Sequence, residues 1–126
     1  MSEEVMLRIG ELLADRHGAV LATRNPDGTL EQFFVWAVLQ DGKLVMTTTS
    51  ERPKFRNLSH DPQVSLMILP RDNPYAHVEV KGRITITREG AYDFMQSLCQ
   101  HYRGEPFNEP SGVGSRVLLT LTPDPD

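Results

Sequence analysis

The chain has 126 residues, of which 39% are hydrophobic and 24% are charged. This size and composition predict one folded domain, residues 1–126, with a single core, and exclude a disordered segment. The formal net charge of −4 excludes broad nucleic-acid binding, which needs a surplus of basic residues.

The predicted location is the cytoplasm. The chain begins with acidic and polar residues rather than a charged and apolar leader, and no apolar run approaches the roughly 20 residues that span a bilayer. Cys99 is the single cysteine, so it cannot form a disulfide within the chain. We interpret it as a buried structural thiol in a helix rather than as a reactive one.

The first quarter of the chain predicts a helix and a strand that leads into a turn. Apolar side chains recur at helical spacing in residues 5–16, and His17-Gly18 ends that pattern. Residues 19–23 form a short apolar run typical of a buried strand. The following Asn25-Pro26-Asp27-Gly28 segment predicts a turn.

The next segments predict a β-hairpin followed by a short helix. Residues 30–39 are β-branched and aromatic, as in a strand. A hairpin turn at residues 40–43 and a returning strand at residues 44–49 follow. Residues 53–59 predict a short helix, and residues 60–62 a turn.

The second half predicts three strands and one helix. Strands are expected at residues 64–69, 75–87 and 116–121, with Val78, Val80, Ile84 and Ile86 on one face of the long strand. Gly82, in the middle of that strand, predicts a bulge or sharp bend. A helix is expected at residues 88–102, and a loop at residues 104–114.

This order predicts a mainly β protein with peripheral helices. About six strands are joined mainly by tight turns, which favours an antiparallel sheet or small barrel over parallel βαβ units. The sequence lacks the G-x-G-x-x-G pattern of a dinucleotide-binding unit.

The segment most suggestive of chemistry follows the strand at residues 44–49. Hydroxyl side chains end that strand, and Arg52, Lys54 and Arg56 come next, at the start of the short helix. Hydroxyls, cations and unpaired helix amides together favour a phosphate-binding site. The same residues also fit a solvated basic turn capped by Ser50, and composition alone leaves both interpretations open.

The wider pattern around these cations resembles a known family. Arg52-x-Lys54-x-Arg56-Asn57-Leu58, followed by Asp61-Pro62-x-Val64, is similar to the signature of the pyridoxamine 5'-phosphate oxidase-like split-barrel superfamily, especially its deazaflavin-dependent branch. Further matching stretches occur in the same order along the chain: residues 18–23, 26–28, 35–36, 41–44, 78–83, 102–104 and 116–119.

The resemblance implies a six-stranded antiparallel split β-barrel of the FMN-binding type. It also implies a homodimer with two cofactor sites at the interface, each holding the deazaflavin coenzyme F420 or FMN. Carried over by position, Arg52 and Lys54 hold the cofactor phosphate and Thr48 adds a hydroxyl contact. Val35 and Trp36 belong to a strand along the ring edge, and His77 supplies a polar side chain near the ring.

Two of these positions have second interpretations, and a further residue departs from the family pattern. His77 equally fits a solvent-facing strand residue, and Trp36 fits a core or dimer-interface aromatic. Pro53 departs from the family pattern, because proline stiffens the phosphate loop and removes one backbone donor.

The implied function is an oxidoreductase that transfers hydride from reduced F420 or FMN to a flat unsaturated small molecule. Two alternatives stay open: a non-catalytic flavin or deazaflavin carrier, and an FMN-dependent enzyme of the pyridoxamine-phosphate-oxidase type. The sequence has no histidine or cysteine spacing typical of a metal site and no G-x-S-x-G motif.

Overall fold

The structure is a computed structural model that describes residues 1–108 and 115–125. The described residues form three α-helices and seven β-strands. In chain order these are α1 (Glu3–Ala14), β1 (Ala19–Arg24), β2 (Leu30–Val35), β3 (Val38–Gln40), β4 (Lys43–Thr49), α2 (Pro53–His60), β5 (Gln63–Ile68), β6 (Val78–Thr87), α3 (Ala91–Arg103) and β7 (Arg116–Pro123).

The strands form one antiparallel sheet in the order β2-β1-β5-β6-β7-β4-β3. Seven strands about 4.8 Å apart would place the edges of a flat sheet about 29 Å from each other. The edge strands β2 and β3 are nevertheless joined by only Trp36 and Ala37, a link that reaches at most about 11 Å. The sheet must therefore curl until its two edges approach each other at this link, which confirms the predicted antiparallel split barrel.

Seven strands are present where six were predicted, because the expected strand at residues 30–39 is interrupted. Trp36 and Ala37 lie outside the ladders, and Val38 pairs with Val45 on the far side of the sheet. Trp36 and Ala37 thus form the seam of the barrel, where one edge of the sheet passes to the other. The sequence of this segment is nevertheless typical of a continuous strand.

Strand β6 forms a corner of the barrel, because it pairs with a different strand along each of its halves. Its residues 78–83 pair with β5 and its residues 82–87 pair with β7. Pairing continues without a break through Gly82, so of the predicted bulge or sharp bend the ladders contain no bulge, and Gly82 lies where β6 changes from pairing with β5 to pairing with β7. A Cβ atom on Gly82 would lie 2.3 Å from the carbonyl oxygen of Thr122. Glycine is needed here because the two backbones approach closely.

The core fills the inside of the barrel. Alternate residues of β1, β5, β6 and β7 point inward, and α1 covers one end with Ile9, Leu12 and Leu13. The predicted inward set of β6 is confirmed, since Val80 and Ile84 are buried. The largest fully buried apolar side chains are Ile9, Leu13, Leu21, Leu44, Met46, Leu66, Ile68, Val80, Val117, Leu119 and Leu121.

Element boundaries differ from the prediction where a cap or turn intervenes. α1 starts at Glu3 because the Ser2 side chain accepts the Val5 N–H at 3.2 Å. The expected strand at residues 75–87 starts only at Val78, after a single 3₁₀ turn at Pro74–Ala76. The predicted hairpin turn is confirmed, with Asp41 and Gly42 both at positive φ.

Two further findings bear on the predictions. In the expected loop at residues 104–114, residues 109–114 lie outside the described part of the chain. Within residues 1–108 and 115–125, every helix is too short or too polar to cross a membrane.

Candidate functional site

A cavity of about 320 Å³ opens between the start of α2, the end of β4 and one face of α3. Its volume lies at the lower end of the range for small-molecule sites. The described residues that line it are Phe34, Val35, Trp36, Thr47, Thr48, Arg52, Lys54, Met95, Leu98, Phe107 and Arg116.

Three cations share this cavity, and no described lining residue is acidic. Arg52 and Lys54 come from the start of α2, and Arg116 comes from β7. The nearby Glu51 is exposed and accepts a hydrogen bond from the Ser115 hydroxyl, which lowers the pKa of Glu51. The cavity wall therefore carries a surplus of positive charge that favours an anion.

Lys54 is the lining cation whose pKa is lowered in this environment. Burial, together with the charges of Arg52 and Arg116, lowers the pKa of Lys54 to about 8. Its Nζ lies 5.5 Å from the centre of the Phe33 ring, so an aromatic face partly compensates the charge. A bound anion would supply the missing counter-charge and raise the pKa of Lys54 again.

The backbone at the start of α2 bears on the two interpretations of the segment with Arg52, Lys54 and Arg56, namely a phosphate-binding site and a solvated turn capped by Ser50. Arg52, not Ser50, is the N-cap residue, and no side chain caps the helix. Pro53 takes the first helical position, where its missing N–H is tolerated. The hydroxyl cap of a plain surface turn is thus absent, while Arg52 and Lys54 line the cavity.

Thr48 contributes an unpaired polar atom. The residue is 3% exposed, and its Oγ1 has no hydrogen-bond partner among the described residues. A buried hydroxyl without a partner is costly. Phosphate or hydroxyl oxygens of a ligand would satisfy it, so the residues present fit a phosphorylated cofactor.

Trp36 forms one aromatic wall of the cavity, and its ring packs against Tyr102. Its ring stacks on Tyr102, with centroids 5.1 Å apart and planes 5° from parallel. The Tyr102 hydroxyl oxygen lies 2.9 Å from the carbonyl oxygens of His17 and Ala37 and donates its proton to one of them at a time. It also accepts the Ala37 N–H at 3.4 Å. The barrel seam and the wall of the cavity are therefore fixed by the same side chain.

Phe107 contributes a second aromatic wall. The side-chain amide of Gln96 on α3 accepts the N–H of Phe107 at 3.0 Å and donates to its carbonyl oxygen. The Phe107 ring lies 5.1 Å from Cζ of Arg116. Arg116 in turn donates to Thr47 Oγ1 at 3.3 Å, so the third cation is anchored on β4.

Most of the predicted site residues meet in this cavity. Val35, Trp36, Thr48, Arg52 and Lys54 all line it. His77 lies elsewhere in the chain: it is exposed, caps the 3₁₀ turn, and places Nδ1 3.1 Å from the Pro74 carbonyl oxygen.

Sequence reasoning missed Arg116, Phe107, Met95 and Leu98 as lining residues. Arg116 was noted only as part of the last matching stretch, yet its pairing with Thr49 brings it beside the basic segment. No local pattern signals that pairing, because the two residues are far apart in sequence. Among the described residues, no three histidine, cysteine, aspartate or glutamate side chains are arranged to hold a metal ion.

Comparison with known proteins agrees with this geometry. A family described as pyridoxamine 5'-phosphate oxidase matches residues 8–125. No curated protein matches. A solved structure named F420 reductase is 30% identical, with a TM-score of 0.81 and coverage of 91% of this chain and 92% of that one.

Two other solved structures are more distant. A conserved hypothetical protein of Mycobacterium tuberculosis is 25% identical, with a TM-score of 0.76 and coverage of 98% of this chain and 81% of that one. A putative pyridoxamine 5'-phosphate oxidase of Listeria innocua shares the fold at 18% identity, with a TM-score of 0.73 and coverage of 96% and 94%. The chain belongs to the pyridoxamine 5'-phosphate oxidase family, as its sequence predicted, and within that family it resembles an F420 reductase.

Proposed function

We propose that the chain is an oxidoreductase that binds a phosphorylated flavin-type cofactor and transfers hydride to a flat unsaturated small molecule. The cofactor is the deazaflavin F420 in preference to FMN, because the named relative at 30% identity is an F420 reductase. An FMN-binding relative from Nostoc punctiforme has the same fold at 18% identity, so FMN is the alternative.

One observation carries this proposal: three cations and an unpaired buried hydroxyl share a cavity with two aromatic walls. Arg52, Lys54 and Arg116 would hold the phosphate, with Thr48 as a hydroxyl donor. Trp36 and Phe107 would flank the apolar part of the cofactor. Anion-binding groups and aromatic rings in one cavity match a molecule with a phosphate and a planar ring.

The protein residues bind and orient, while the bound cofactor supplies the hydride chemistry. No aspartate, glutamate or histidine is among the described lining residues. Lys54, with a pKa of about 8, is the one described lining residue able to release a proton near neutral pH. Its contact with the phosphate would keep it protonated, so the proton for the substrate would come from solvent.

We also propose that two copies of the chain complete the site. Phe34 lines the cavity although it is 71% exposed, and Leu30 on the same edge strand is 69% exposed. Large apolar groups in this position favour a covered surface. A homodimer would bury them and close the open side of the cavity, and it gives exposed residues such as His77 a route to a partner's site.

Titration of the purified protein with F420 and with FMN tests the proposal. Trp36 is the only tryptophan in the chain and lines the cavity, so cofactor binding should quench tryptophan fluorescence directly. We expect saturable quenching by both cofactors, with tighter binding of F420. Absence of saturable quenching by either cofactor would exclude the proposed site.

The substitution Lys54→Ala should weaken cofactor binding by about 1.5–3 kcal/mol, because a charge-assisted hydrogen bond to phosphate is lost. Lys81→Ala is the matched control, since Lys81 is exposed and 3.7 Å from Glu79. Calorimetric titration of both variants measures the difference. Equal affinities in the two variants would remove Lys54 from the site.

A non-catalytic carrier is the second candidate function. The observation that favours it is the lack of an aspartate, glutamate or histidine among the described lining residues. Single-turnover mixing of the F420H2-loaded protein with a conjugated enone separates the two functions. Oxidation of the bound cofactor at a rate above the free cofactor supports a reductase, and an unchanged rate supports a carrier.

A further inference from the structure

We propose that Lys54 is a covalent modification site for aldehydes that carry a phosphate group. The inference rests on the proposed function in one respect, because it uses the same anion-binding cavity. It differs in its ligand, which is a reactive carbonyl compound rather than a redox cofactor, and in its outcome, which is a bond to the protein.

The placement of Lys54 brings a phosphate socket and an amine together. Arg52 and Arg116 line the same cavity as Lys54 and provide two guanidinium groups for one phosphate. These groups leave the lysine amine available for the carbonyl carbon. No described lining residue is a carboxylate that would hold Lys54 as an ammonium ion.

The charges around Lys54 favour its reactive form. The charged groups that act on Lys54 are Arg52 and Arg116. The carboxylate of Glu51, which accepts from the Ser115 hydroxyl, interacts with Arg116. Before any anion binds, the pKa of Lys54 is about 8, so roughly a quarter of it is neutral at pH 7.5, against about one molecule in a thousand for an ordinary lysine. A phosphate in the cavity lowers this fraction, and its contribution to the reaction is to hold the aldehyde beside the amine. The neutral amine is the nucleophile.

The remaining lysines lack these features and serve as internal controls. The sequence has three lysines, and the other two are Lys43 and Lys81. Both are exposed, Lys43 at the start of β4 and Lys81 beside Glu79. Neither lines the cavity.

The reaction requires no oxidant or reductant. The lone pair of Lys54 Nζ attacks the aldehyde carbon, a C–N bond forms, and a proton passes from nitrogen to the former carbonyl oxygen. The resulting carbinolamine loses water, which leaves an imine. The modified Lys54 no longer presents a free ammonium group to a cofactor phosphate, so modification and cofactor binding exclude each other.

The test uses glyceraldehyde 3-phosphate, with glyceraldehyde as the phosphate-free control. The full-length wild-type protein is incubated with each compound at pH 7.5, imines are reduced with cyanoborohydride, and labelled lysines are mapped by peptide mass spectrometry. With the phosphorylated aldehyde we expect Lys54 to be labelled at least about tenfold more than Lys43 or Lys81, because the two guanidinium groups hold the phosphate and keep the aldehyde near the amine. Glyceraldehyde should show a clearly smaller preference, and inorganic phosphate should suppress labelling of Lys54 alone.

Two variants show whether the guanidinium groups direct the reaction. Arg52→Gln should reduce labelling of Lys54 by the phosphorylated aldehyde, whereas Arg56→Gln should not, because Arg56 is exposed and does not line the cavity. Equal labelling of all three lysines, or a Lys54 preference that is the same for both aldehydes, would overturn the inference. If the protein quenches with F420 or FMN but shows no selective labelling, the inference fails and the proposed function stands. If Lys54 is labelled selectively but neither cofactor binds, the inference stands and the proposed function fails.

Discussion

At the scale of single residues, two features of the cavity are unfavourable in the ligand-free protein. Lys54 is partly buried beside two arginines, and Thr48 has a buried hydroxyl without a partner among the described residues. Both features lower the stability of the ligand-free protein, and an anion bound at the proposed site would relieve both. Such a cost is common where a site must accept a charged group.

Replacing Lys54 with methionine should therefore stabilise the ligand-free protein. The pKa of Lys54 falls from 10.5 to about 8 on folding, so the folded state is penalised for holding the proton at every pH below 8. Allowing for partial solvent screening, we expect Lys54→Met to gain roughly 2 kcal/mol at pH 7. Between pH 8 and 10.5 the folded wild type releases this proton, so the gain should shrink towards zero.

Urea unfolding of wild type and Lys54→Met at pH 7 and pH 10.5 measures this effect. Lys81→Met provides the control, because an exposed lysine should change stability by less than about 0.5 kcal/mol. A gain that is the same at both pH values would show that it arises from packing and not from charge.

Tyr102 is a second residue that we expect to contribute strongly to stability, because its hydroxyl forms hydrogen bonds with three backbone groups at the barrel seam. Tyr102→Phe keeps the ring that stacks on Trp36 but leaves those groups without a partner. We expect a loss of about 1–3 kcal/mol of unfolding free energy. Tyr75→Phe, at a side chain that is 92% exposed, should be neutral, and urea unfolding followed by Trp36 fluorescence compares the two.

At the scale of elements, the sequence predicted what local patterning determines. The order of helices and strands follows from runs of apolar, β-branched and turn residues, and the Asp41-Gly42 turn and the inward face of β6 are found as expected. The residues Thr48, Arg52 and Lys54 were also expected to lie together, because they are close in sequence, and they line the same cavity.

The errors arise where distant segments decide the structure. The break at Trp36 and Ala37 exists because the barrel must close there, although the residues suit a strand. Gly82 is required by the approach of Thr122, some forty residues later in the sequence. Arg116 joins the site through its ladder pairing with Thr49. These contacts depend on register between strands, which a single sequence does not encode in any short window.

The close approach at Gly82 gives a prediction at this scale. Gly82→Ala should destabilise the protein by about 2 kcal/mol or more, because the new methyl group meets backbone and not a movable side chain. Gly10→Ala is the matched control: its Cβ would lie 3.3 Å from Leu39 Cδ2, and alanine is favoured by about 1 kcal/mol inside a helix. Thermal unfolding should separate the two variants clearly. A Gly82→Ala protein as stable as Gly10→Ala would contradict the crowding at this corner.

At the scale of the whole molecule, one surface exposes large apolar side chains to solvent. Leu30 and Phe34 project from the edge strand β2 and are 69% and 71% exposed. Phe34 also lines the cavity. An uncovered apolar edge strand favours pairing with another chain.

Light scattering should therefore show a dimer, and Leu30→Lys should shift it to a monomer with weaker cofactor binding. Leu30 does not line the cavity, so lower affinity in this variant reports the loss of the partner rather than of a direct contact. Leu7→Lys, at a leucine that is 66% exposed on α1, is the control and should remain dimeric. A wild-type monomer that binds cofactor at full affinity would contradict the interface.

The position of β7 has a consequence for how the protein is made. This strand pairs with both β4 and β6 and brings Arg116 to the site. During translation, a nascent chain that ends after α3 already has six strands, but β4 and β6 still lack the partner that lies between them in the finished sheet. Until β7 emerges, these two edges stay unpaired, and unpaired strand edges promote aggregation.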